Sequence, residues 1–276
     1  EPVSPAVQAY TESWNGSSWT EVSDMNTGKS GLSSAGESNT AALASGGELP
    51  SGSPAIGAIA ELWNGSSWTE VADLNVNRFM AATANTGTTS SAITIGGNPG
   101  DKVDTEEWTG AGAPIGAWST TTDMNTARYN RGGAGITSAA LAFGGRPPSS
   151  AATESWNGSS WTEVNDLNTA RHSMAPSGTY TSALSIGGEN GGYVGIVEEW
   201  NGSSWTETTD LNTTRGEAGG AGASSESALV FGGSSPAGTF DNTESWNGSS
   251  WTEVADLNTA RYQVASGMGR VYTNAL

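Results

Sequence analysis

Short stretches of alternating polar and apolar positions follow one another along the chain, and none extends into a long 3.6-residue pattern. From Thr243 one copy reads TESWNGSSWTEVADLNTARYQVASGMGRVYTNAL. The segments before and after Asn-Gly predict two short strands joined as a hairpin, since both turn residues tolerate φ > 0. With a two-residue turn, Trp14 would face Ser17 and Glu12 would face Trp19, leaving both Trp diagonal on one sheet face. A turn-rich connector, Asp-Leu-Asn-Thr-Ala-Arg, follows. A Gly/Ala-rich strand comes next, then an apolar strand closed by Gly-Gly: ALASGG, AITIGG, ALAFGG, ALSIGG and ALVFGG.

The twelve Trp fall into six pairs, 14/19, 63/68, 108/118, 156/161, 200/205 and 246/251, whose first members lie 44 to 49 residues apart. That period is the size of a propeller blade, a small four-stranded sheet. Residues 1–22 hold a Trp hairpin with no Gly-Gly strand before it, and residues 261–276 hold the complementary half. The expected fold is therefore all-β: a six-bladed β-propeller of four-stranded antiparallel blades, with N- and C-terminal strands closing one blade and leaving no open edge. It forms a single domain, 1–276, with blades at 28–72, 77–120, 127–164, 171–208, 215–254, and 261–276 plus 1–22.

Gly-Gly closing one strand, an aromatic on the next and Trp on the outermost resemble kelch repeats, the repeat type of cytoskeletal adaptors and of galactose oxidase. The likeness covers nearly the whole chain. It departs in having Trp where kelch usually has Tyr, and Asn-Gly-Ser-Ser in place of a longer turn. Repeats this alike also resemble repeat proteins of marine bacteria and their phages. The galactose oxidase likeness would imply a copper site of two His, two Tyr and a Cys, but the chain has one His and no Cys, which excludes that chemistry. Sialidase-type propellers carry Ser-x-Asp-x-Gly-x-x-Trp; the run from Ser13 to Trp19 is one residue short of it and lacks the Asp.

The formal net charge of -18 makes nucleic acid and anionic membrane surfaces poor partners. Without cysteine the fold depends on neither disulfides nor thiolate metal sites, and the redox compartment stays open. No apolar run reaches transmembrane length, so no membrane insertion is expected, and no signal-peptide core is visible. The first residue is Glu1 rather than Met, so the chain is expected to be processed or part of a larger chain or assembly. No His/Asp cluster has metal-ligand spacing and no phosphate loop follows a strand, so no cofactor is expected.

Six near-copies permit an internal comparison. A Glu precedes the first Trp of each pair by two residues: Glu12, Glu61, Glu106, Glu154, Glu198 and Glu244. A basic residue opens each innermost strand: Lys29, Arg78, Arg128, Arg171, Arg215 and Arg261. These are expected to be buried and to engage one another or backbone carbonyls. The residues just after each basic position vary, as do the loops after Gly-Gly, and blade topology sends both to one face. Diversity on one face of a rigid scaffold is how binding loops are displayed. The expected ligand-binding residues are Phe79, Tyr129, Asn130, Arg131, His172, Glu217, Tyr262 and Gln263 near the axis, with Arg146, Tyr193 and Phe240 as an outer rim. The function expected is a non-catalytic recognition module binding a protein or glycan partner through this face, on a cell or virion surface. The alternatives are a structural or oligomerising disc, and a six-site lectin using the repeated Trp.

Overall fold

The computed structural model describes residues 7–50, 56–84, 86–110, 116–264 and 275. Five four-stranded antiparallel blades follow one another around an axis. Blade one holds Ser33–Ser38, Ala41–Ser45, Ala60–Trp63 and Trp68–Val71. Blade two holds Ala82–Thr83, Ser91–Gly97, Lys102–Thr109 and Ala117–Thr121. Blade three holds Gly132–Ile136, Ala139–Phe143, Thr153–Trp156 and Trp161–Val164. Blade four holds Ala175–Thr179, Ser182–Ile186, Val197–Trp200 and Trp205–Glu207. Blade five holds Gly219–Ser224, Ser227–Phe231, Thr243–Trp246 and Trp251–Val254. Among the described residues no helix is long and apolar enough to cross a membrane.

The expected count of six blades is corrected to five. The remaining hairpin, Thr11–Trp14 with Trp19–Val22, is a two-stranded sheet. Arg261–Val264 is bend rather than strand, and residues 265–274, where the complementary strands were expected, lie outside the described residues. One backbone bond, Trp14 N–H to Ala275 O at 2.8 Å, reaches the hairpin from that end. The hairpin nonetheless sits between blades five and one. Trp19 packs on Phe231 and donates to Thr243, while Thr11 accepts from Trp68.

The Asn-Gly turn also differs from expectation. Trp14 pairs directly with Trp19, and Glu12 with Glu21, so the loop has four residues. The Asn15 side chain explains this: its Oδ1 accepts the N–H groups of Ser17 and Ser18 at 2.9 and 3.0 Å. That local Asx bonding supplies the turn's hydrogen bonds and holds it open by two residues. Asn64, Asn157, Asn201 and Asn247 repeat it. The two Trp of each pair thus stack across the strands, with ring centroids 5.2 to 5.5 Å apart. All twelve Trp are buried; five of the six pairs pack on the preceding blade, and Trp63 and Trp68 pack against Val22 of the hairpin.

The repeated ion pairs form as expected, with five of the six basic side chains buried and Arg261 half-buried. Lys29 meets Glu61 at 3.1 Å, Arg128 meets Glu154 at 2.9 Å and Arg215 meets Glu244 at 2.7 Å, with Arg78–Glu106, Arg171–Glu198 and Arg261–Glu12 completing the set. The other carboxylate oxygen of each Glu accepts the backbone and side-chain N–H of an Asn in the preceding connector, as Glu106 does from Asn75. One Glu therefore fastens the connector, the blade and the basic side chain together.

The Gly-Gly pair has a specific task between blades. In blades one, three, four and five the second Gly donates to the carbonyl of the next basic residue, as Gly188 does to Arg215 at 3.0 Å, whereas the Arg128 carbonyl after blade two accepts from the Arg131 guanidinium. Gly187, at φ +61, approaches the same carbonyl so closely that a Cβ would lie 2.5 Å from it. No other residue combines that conformation with that approach.

Candidate functional site

The chain enters each innermost strand through three residues after the basic position, and each of the three has its own environment. The first bridges to the residue following Gly-Gly in the same blade: Ser30 with Glu48, Phe79 with Asn98, Tyr129 with Arg146, His172 with Glu189 and Gly216 with Ser234. The two variable sets recognised in the sequence are thus hydrogen-bonded neighbours on one face.

The second residue adopts the left-handed conformation in all six copies: Gly31, Met80, Asn130, Ser173, Glu217 and Gln263, at φ between 52° and 58°. Each donates its backbone N–H to the carbonyl of the preceding one: Met80 to Gly31, Asn130 to Met80, Ser173 to Asn130, Glu217 to Ser173 and Gln263 to Glu217, at 2.7 to 3.0 Å. Gly31 closes the circle on Gln263 at 3.3 Å. The result is a closed ring of six backbone hydrogen bonds about the axis. Five of its members are not glycine and hold a conformation that costs an L-residue roughly 1–2 kcal/mol.

This ring surrounds an axial cavity of about 80 Å³. The cavity is two-sided. Asn130, Ser173, Glu217 and Gln263 line one arc, while Gly31, Leu32, Met80, Ser34 and Thr83 line the other. Along the polar arc Asn130 Nδ2 donates to Ser173 Oγ at 3.1 Å, and Ser173 Oγ lies 2.9 Å from His172 Nδ1. Glu217 accepts from Gln263 Nε2 at 3.2 Å and from the Ser234 hydroxyl at 2.9 Å, and Ser234 is 3.2 Å from the Tyr193 hydroxyl.

The expected site residues separate on this frame. Asn130, Glu217 and Gln263 line the axial cavity with half-buried side chains. Phe79, Tyr129, Tyr262 and the rim residues Arg146, Tyr193 and Phe240 are half-buried on the same face. Tyr129 and Arg146 act as a pair: Arg146 Nε donates to the Tyr129 hydroxyl at 3.1 Å, with the guanidinium 5.2 Å over the ring. His172 is mostly buried, and desolvation holds its imidazole below its ordinary pKa, against the opposing charge of Glu189. Its Nδ1 lies 4.0 Å from Glu189 Oε1.

Arg131 lines the cavity, but its guanidinium turns into the interior, donating to the carbonyls of Arg128 and Ile95 between blades two and three. Burial and the charges of Arg128 and Arg78 push its pKa well below the ordinary arginine value. Ser173, Ser234 and Glu189 join the site without having been singled out. They occupy the same variable slots, Ser173 the second position after the basic residue and Glu189 and Ser234 the first after Gly-Gly. Among the described residues no three His, Cys, Asp or Glu side chains gather to hold a metal. Compared with models of known protein families and with curated proteins, the chain matches none.

Proposed function

We propose that the chain is a non-catalytic recognition module that binds a protein or glycan partner through the face carrying the left-handed ring. One observation carries this reading. Six positions share one backbone conformation and one hydrogen-bonding role, yet hold Gly, Met, Asn, Ser, Glu and Gln. Glycine would meet the backbone requirement without strain, so keeping five side chains there at a cost points to what the side chains do. A closed ring holds them rigidly, so little ordering entropy is lost on binding.

Two features weigh against the competing readings. All twelve indoles are at most 7% exposed, which leaves no open ring face for a sugar to stack on at the repeated Trp. The single histidine presents one nitrogen to both Ser173 and Glu189, whereas a Ser-His-acid relay uses opposite nitrogens. The tight Gly-Gly junctions support the likeness to kelch repeats.

Immobilised protein should capture its partner from a glycan array or a protein extract at one partner per chain. The double variant Tyr129→Ala/Tyr262→Ala should lose that capture while keeping its melting temperature within a few degrees, and Ser159→Ala, in an Asn-Gly-Ser-Ser loop, should keep it. Equal capture by both variants would leave the variable face as drift and favour a structural disc.

A further inference from the structure

Glu217 is the one carboxylate among the described residues lining the axial cavity. Its oxygens are held by two neutral donors, Gln263 Nε2 and the Ser234 hydroxyl. No cation stands within ion-pair distance of it among the described residues, unlike the six repeated Glu. Asn130 and Gln263 each place an amide N–H on Ser173 and Glu217, and each also brings an amide oxygen, an acceptor, to the same arc. A carboxylate and several neutral oxygens therefore lie on one side of a cavity whose far side carries Leu32 and Met80 with Ser34 and Thr83, and no carboxylate.

We propose that this cavity binds an organic ammonium group, a lysine side chain displayed by a partner protein, with Glu217 as its counter-ion and Asn130, Ser173 and Gln263 as neutral acceptors. The inference rests on the recognition reading above and names its ligand class. An ammonium carries one charge and three donors with no acceptor, which matches one carboxylate among neutral oxygens. A divalent cation would ask for six or more oxygens and more negative charge than one carboxylate supplies. Leu32 and Met80 offer the apolar wall against which a lysine stem lies while its head stays polar. The cavity of about 80 Å³ admits several water-sized groups end to end. Arg131 does not oppose this, because its guanidinium is held on Ile95 and Arg128 carbonyls, and neither of those residues lines the cavity. The net charge of -18 favours encounter with basic partners over acidic ones.

The test is a calorimetric or NMR titration at fixed ionic strength with Nα-acetyl-lysine methylamide, methylammonium, tetramethylammonium and calcium chloride. The lysine amide and methylammonium should saturate one site per chain, while tetramethylammonium, which has no N–H, and calcium should not. Glu217→Gln should weaken binding about tenfold or more, through loss of a charge-assisted contact. Glu226→Gln removes the same charge from an exposed position elsewhere and should change nothing. Preferential binding of calcium, equal weakening by both variants, or no binding at all would overturn the assignment. If the amines fail but Tyr129→Ala/Tyr262→Ala still abolishes partner capture, the ammonium assignment falls and the recognition face stands. If that double variant captures normally, the recognition reading itself falls.

Discussion

Arg128 and Glu154 meet inside blade three with Nη2 2.9 Å from Oε1 and almost no solvent on either side chain. Glu154 also holds the backbone and side-chain N–H groups of Asn125 at 2.8 and 2.9 Å, so the pair joins the blade to the connector before it. Removing one member leaves a buried charge and several buried donors or carbonyls without partners. Arg128→Ala is expected to lose about 3–5 kcal/mol of stability by urea unfolding. Glu154→Gln, which keeps an acceptor for Asn125, should lose less than Glu154→Ala. Wild-type unfolding of Arg128→Ala would show that the pair is dispensable.

The left-handed ring sets a conformational demand that can be measured at Met80, which holds φ 52° on the apolar arc. Met80→Val places a β-branched residue in that conformation and is expected to cost about 1–2 kcal/mol. Met80→Gly relieves the strain and loses some chain entropy, so its stability should stay within about 1 kcal/mol of the starting protein. Equal stability for the two variants, measured by thermal and urea unfolding, would mean that the ring does not enforce the conformation.

Arg131 occupies a slot filled elsewhere by Leu32, Ala81, Met174, Ala218 and Val264, and it buries a guanidinium with no carboxylate partner among the described residues. Arg131→Met is expected to raise stability by about 1–3 kcal/mol, because an unpaired buried charge is exchanged for a side chain already used in the slot. A loss of stability would assign Arg131 a net structural role through its two carbonyl contacts.

His172 gives the site a pH dependence whose direction follows from burial. Its folded-state pKa lies below the unfolded value of about 6.5, so the unfolded chain takes up a proton first as pH falls. The associated stability is complete above that unfolded value and is lost as pH drops through the folded one. His172→Tyr, which places the residue of the equivalent positions 129 and 262, should flatten the melting-temperature profile between about pH 7 and pH 5 relative to the starting protein. Parallel profiles would show that His172 does not contribute.

What the sequence determined is local or repeated. Alternation around Asn-Gly specified the Trp hairpins, Gly-Gly marked the end of each second strand, and equal spacing specified blades of one design. The recurrence of Glu and a basic residue at fixed offsets sufficed to foresee pairs such as Arg215–Glu244. Tertiary structure decided what depends on groups far apart in the chain. A single repeat cannot reveal that Glu217 sits at φ 56°, because that geometry is imposed by bonds to Ser173 on one side and Gln263 on the other. The direct Trp14–Trp19 register depended on a side-chain oxygen competing with the backbone for Ser17 and Ser18. Counting half-repeats gave six blades where the described residues form five and a two-stranded hairpin, since a blade is defined by inter-strand hydrogen bonds that a count of half-repeats does not contain. Arg131 looked like a surface anchor by residue type, yet the space between blades two and three and the carbonyls of Ile95 and Arg128 drew its guanidinium inward.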